Sequence, residues 1–149
     1  MTKSEKALTY FDNSFNCSQS VFGAFAPDMG LTEDDALRIA CAFGGGMARQ
    51  QFTCGAVTGA LMVLGLKFGK GFEDEDEKKY DTYAKTISFF EEFKRQNGSV
   101  ECRQLLDGLD MNNENDKKII QEQNLFHVKC RKYVEDAVEI TETIINKQS

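Results

Sequence analysis

The chain has no tryptophan, one proline (Pro27) and one histidine (His127) in 149 residues. A single proline leaves long helices unbroken. A single imidazole rules out metal sites built on several histidines and leaves one candidate of that kind to carry a proton. No apolar run is long enough to cross a bilayer: the longest, at 56–66, is interrupted by Thr58, Gly59 and Gly65. No apolar segment follows Met1-Thr2-Lys3-Ser4-Glu5-Lys6, so no secretory leader and no membrane insertion are expected, and the cytoplasm is the expected compartment. Positive charge is scarce, with 18 Lys and Arg against 24 Asp and Glu and a net charge of −6. That balance argues against nucleic acid as a partner. Strand-like alternation and internal repeats are missing too.

Paired cysteine motifs are also absent. Without Cys-x-x-Cys there is no thioredoxin-type motif and no zinc ribbon, and without Cys-x-x-Cys-His there is no covalent haem attachment. The triplet Gly44-Gly45-Gly46 is not followed by Gly-Lys-Ser/Thr, so it is no phosphate-binding P-loop. It is expected to form a tight bend that brings Arg49 near the residues that follow.

What the chain does have is five cysteines: Cys17, Cys41, Cys54, Cys102 and Cys130. The helical periodicity of apolar residues predicts a single all-α domain over 1–149. The expected form is a compact bundle of six to eight helices around a buried helix at 54–66 that carries Cys-Gly-Ala-x-x-Gly. Further helices are expected at 2–12, 17–25 (capped by Asn16), 32–42 (capped by Thr32), 73–96, 100–106 and 114–120. The last covers 125–145, and its continuity with 116–124 is left open. In the helix at 73–96, Tyr80, Tyr83, Ile87 and Phe90 form the expected inward stripe, widened by Ala84, Phe89 and Phe93. Thr53 is the expected cap of the central helix, which puts Cys54 in a first turn. Cys17 and Cys102 fall in first turns as well. Unpaired N–H groups and the helix dipole favour an anion there, so a thiol in that position gains thiolate character. Cys130 shares a stripe with Val134, Ala137, Thr141 and Ile144, and His127 lies three residues before it on the same face. Cys41, in a last turn, is expected to be a core thiol.

Asn16-Cys17-Ser18-Gln19, Cys54-Gly55-Ala56-x-x-Gly59, Glu101-Cys102-Arg103-Gln104-Leu105 and the late Cys130 together resemble the C_GCAxxG_C_C family of redox-active proteins. The likeness spans about 8–144. It singles out Cys17, Cys54, Cys102 and Cys130, and Cys41 stands outside the four-cysteine pattern.

Two chemistries fit these residues. In the first, a thiol–disulfide oxidoreductase, Cys54 is the attacking thiolate and Cys17 or Cys102 resolves the mixed disulfide. Cys130 then completes a second pair, and His127 carries a proton. In the alternative, Cys17, Cys54, Cys102 and Cys130 hold a metal ion or an iron–sulfur cluster. The cofactor is thus open between none and a metal centre. The redox partner is unknown, and a homodimer is compatible with the sequence.

Overall fold

Short polar side chains set the first helix starts. Thr2, Asn16 and Thr32 each accept the N–H three residues on, capping α1 (Lys3–Asp12), α2 (Cys17–Phe25) and α3 (Glu33–Ala40). Glu5 and Gln19 bond back to their caps and complete capping boxes on α1 and α2. Then follow α4 (Gly55–Phe68), α5 (Asp76–Asn97), α6 (Cys102–Leu105), α7 (Glu114–Glu122) and α8 (Arg131–Asn146). The computed structural model describes residues 1–147, and among them these eight helices make an all-α fold. The one β pairing among the described residues is an isolated antiparallel bridge between Thr53 and Glu101.

Helix α4 is apolar nearly all round, and it packs against α2, α5 and α8. Gly55 to Ala60, Val63 and Leu64 are all buried. Two glycines one turn apart let α2 approach closely. A Cβ at Gly59 would lie 2.8 Å from the Ser18 carbonyl oxygen, and one at Gly55 would lie 2.5 Å from the Cys17 sulfur. The Ser18 and Thr58 hydroxyls meet at 3.4 Å in the same seam.

Two expectations, for α5 and for Cys41, are corrected by the packing, and the continuity left open before the last helix is decided. In α5 the buried residues are Lys85, Phe89 and Phe93, while Tyr80, Tyr83 and Ile87 are more than half exposed. Lys85 lays its stem along the core, pairs with Asp81 and sets its ammonium 4.4 Å from the centre of the Phe68 ring. The last helix is not continuous with α7. Asn124 adopts a left-handed φ of 53°, and a single π-helical turn, Phe126–Cys130, precedes α8. Finally, α3 stops at Ala40, and the 3₁₀ turn Cys41–Phe43 leaves Cys41 exposed instead of in the core.

Candidate functional site

Two hydrophobic clusters share the interior. Cys54 belongs to the main one, with Cys17 packed against it; Cys102 belongs to the smaller one, with Cys130 packed against it. A cavity of about 530 Å³ lies where they meet, and all five cysteines are on its wall. All five are free thiols. Cys54 and Cys102 are buried, Cys17 and Cys130 are half-buried, and Cys41 is exposed. His127 is exposed and is not on the wall. It lies near Asp12, so the proton-carrying role expected of it finds no support in its position. His127 and Cys130 both lie in the π-helical turn, His127 exposed and Cys130 half-buried on the wall.

Backbone hydrogen bonds hold the sulfur-bearing segments together. The Cys54 N–H donates to the Val100 carbonyl at 2.8 Å, and the Cys102 N–H donates to the Phe52 carbonyl at 2.7 Å. These bonds make Cys54 the N-cap of α4, with its side chain accepting no capping bond. Thr53, the expected cap, pairs with Glu101 instead. Cys102 opens α6, which has only four residues and so lends it little dipole. Asn16 fixes the Cys17 end: besides capping α2, its Nδ2 donates to the Cys41 carbonyl at 2.9 Å.

The glycine triplet does more than bend the chain. Gly45, Gly46, Met47, Ala48 and Arg49 are consecutive left-handed residues, with φ of 66°, 70°, 71°, 50° and 63°, and Gln51 follows at 59°. For residues with a Cβ this conformation costs on the order of 1 kcal/mol each, so the surroundings must enforce it. Gln51 supplies part of that restraint. Its buried side chain donates to the Leu109 carbonyl at 2.8 Å and accepts from the Met111 N–H at 2.9 Å. Asn112 Nδ2 donates to the Arg49 carbonyl at 2.8 Å.

This left-handed run carries the Gly45 N–H to Cys17. The N–H groups of Gly45, Cys17, Ser18 and Ala56 all favour the Cys17 thiolate. They come from the loop, the start of α2 and the start of α4. Burial outweighs these four donors, so the Cys17 thiol is still raised above its ordinary value. Cys54 has only the Ala56 N–H, and it is pushed well up, first by burial and then by Cys17, Cys130 and Cys102. Burial followed by Cys17 pushes Cys102 up to about 12. Burial, then Cys17 and Cys102, push Cys130 up as well. Cys17 is therefore the common electrical neighbour of the other three, and the one best provided with donors for its anion. Cys54, the thiol expected in this position, has one such donor and is buried at 6% exposure.

Tyr133, Gln51 and the ring of Phe126 were not singled out by sequence reasoning. Tyr133 donates its hydroxyl proton to the Leu105 carbonyl at 2.7 Å and borders the cavity. Burial, with Cys130 and Cys54 nearby, pushes its phenol up to about 12. Its place on α8 one turn after Lys129 and Cys130 was the available signal. Among the described residues, no three His, Cys, Asp or Glu side chains are grouped so that they could hold a metal ion.

The helical fold brings cysteines from five segments to one cavity, and comparison with known proteins places the chain in a family. The chain belongs to the C_GCAxxG_C_C family, whose model, described as "Putative redox-active protein (C_GCAxxG_C_C)", matches residues 15–144. An uncharacterised protein of Archaeoglobus fulgidus is similar, 27% identical over 159 residues that cover 99% of each chain. No solved structure matches. Among the described residues, no helix is long and apolar enough to cross a membrane.

Proposed function

We propose that the protein performs thiol–disulfide exchange at this cavity, with Cys17 as the attacking thiol. The observation that carries this reading is the placement of the Cys17 sulfur against the start of α4, where a Cβ on Gly55 would lie 2.5 Å from it, beside the thiols of Cys54, Cys102 and Cys130 on the same wall. Cys17 gives up its proton to solvent and attacks one sulfur of a disulfide substrate. The substrate S–S bond breaks, a mixed disulfide forms on Cys17, and the first substrate thiolate leaves and takes up a proton. Cys54 or Cys102, losing its own proton, then attacks the Cys17 sulfur and expels the second substrate thiolate. The substrate gains two electrons and two protons, and two protein thiols become one disulfide. Cys130 and the remaining thiol form a second pair able to pass electrons on. Burial keeps the resolving thiols protonated until the mixed disulfide forms, which protects them from unproductive oxidation.

The test is a redox titration of the native protein in thiol–disulfide buffers. Free thiols should fall in steps of two, each step following a two-electron dependence, and Cys17→Ser should abolish the first step. A count that stays at five at every buffer ratio, or a Cys17→Ser protein that titrates like the wild type, would overturn the proposal.

A further inference from the structure

The exchange reading leaves the substrate open, and the cavity wall narrows it. The chain has 24 acidic residues, yet none contributes to this wall. The one charged side chain on it is Arg49, which is exposed and so sits at the rim. Arg38, Arg95 and Arg131 pair with Asp34, Glu92 and Asp12. The Arg49 guanidinium has no carboxylate partner among the described residues. Its position is nevertheless fixed, because its backbone N–H donates to the Gly44 carbonyl at 3.1 Å and its carbonyl accepts from Asn112. Holding a long side chain at φ of 63°, where glycine would be less strained, points to a use for that side chain.

The rings of Phe11, Phe15 and Phe126 and the side chains of Leu105, Leu106 and Met111 make the wall largely apolar. Cys17, the attacking thiol, is only partly exposed and sits on the wall of this cavity, which favours a small disulfide over one held on the surface of a folded protein. A volume of about 530 Å³ suits a small molecule.

We infer that the substrate is a low-molecular-weight disulfide with an apolar or aromatic body and a carboxylate, the carboxylate pairing with Arg49 at the rim while the S–S bond reaches Cys17. This rests on the exchange reading above. A planar guanidinium is suited to a carboxylate in two-point contact. The same helix-start N–H groups that favour the Cys17 thiolate add to the positive potential felt by an entering anion.

Two chromogenic disulfides separate the possibilities: dithiobis-nitrobenzoate, aromatic and dianionic, and dithiodipyridine, aromatic and neutral at pH about 8. Cys41 is replaced by Ser in every protein, so that only interior thiols report. Arg49→Gln should lower the rate with the dianion about three- to fivefold more than the rate with the neutral probe. That difference should shrink as salt is raised, and Arg49→Lys should restore much of it. An equal effect on both probes, or none on either, overturns the anionic assignment while leaving exchange at Cys17 standing. If neither probe converts two interior thiols of the Arg49-containing protein into a disulfide, the exchange reading itself fails, and the substrate assignment with it.

Discussion

Adding one methyl group at Gly55 should separate a functional glycine from a merely helical one. A Cβ there would sit 2.5 Å from the Cys17 sulfur, 3.0 Å from the Phe43 carbonyl oxygen and 3.2 Å from the Ser18 nitrogen. Ordinary contact needs about 3.5–4.0 Å, so the sulfur must move by about 1 Å or more, and two backbone atoms block easy relief. Overpacking of this kind costs about 1–3 kcal/mol. The better helix propensity of alanine returns up to about 1 kcal/mol, so Gly55→Ala should destabilise by about 0.5–2 kcal/mol. The displaced sulfur also leaves the N–H groups of Gly45 and Ala56. Cys17 should then alkylate several-fold more slowly at pH about 8, because less of it is thiolate. Gly65, in the same helix, is the control, since a Cβ there meets nothing within 4 Å. Gly65→Ala should stabilise by up to about 1 kcal/mol and leave Cys17 unchanged. Urea unfolding and alkylation rates resolved by peptide mass spectrometry read both effects. If Gly55→Ala stabilises as Gly65→Ala does, with Cys17 as reactive as before, the close approach of sulfur and helix start has no chemical role.

Ala48→Gly reverses the usual helical rule: at φ of 50° it should raise stability by about 1 kcal/mol, read from the urea midpoint, whereas a loss would show that the left-handed run is not strained. Alkaline pH should weaken the reduced protein. Cys17, Cys54, Cys102 and Cys130 are all raised on folding, so the unfolded chain loses these protons first, from about pH 8.5. Stability is then full below that pH and declines as pH climbs toward the folded values, by at most about 1.4 kcal/mol per pH unit for each thiol. Urea midpoints that are flat from pH about 8 to about 10 would contradict the burial of the four thiols. Tyr133→Phe leaves the Leu105 carbonyl without its hydroxyl donor and should cost about 1–2 kcal/mol in the same assay.

Much of the α-helical skeleton was legible because its signals are local. Thr2, Asn16 and Thr32 cap helices through N–H groups three residues away, a distance any sequence window spans. The placement of Cys17 at a helix start followed directly from Asn16. Where the sequence misled, long-range bonds had decided the outcome. Cys54 becomes a cap because its N–H is taken by Val100, 46 residues on. Met47, Ala48, Arg49 and Gln51 carry no turn signature, and they are held left-handed by Leu109, Met111 and Asn112 from a distant segment, together with bonds inside the loop. Phe89 and Phe93 were placed on the inward face of α5, but its centre was misjudged because Lys85 serves there as a hydrocarbon stem, while the more conspicuous Tyr80 and Tyr83 face outward. The four family cysteines could be picked out from their pattern, but their ranking could not. Only the folded chain shows that the start of α4 comes against the Cys17 sulfur at Gly55.

Disulfide mapping of the native protein after brief exposure to a mild disulfide oxidant addresses the role of Cys17 most directly. Peptide mass spectrometry under non-reducing conditions should find Cys17 bonded to Cys54 or Cys102, with two or four of the five thiols lost. Recovery of Cys17 as a free thiol, with oxidation confined to Cys41 at the surface, would contradict the assignment of this cavity as a thiol–disulfide exchange site.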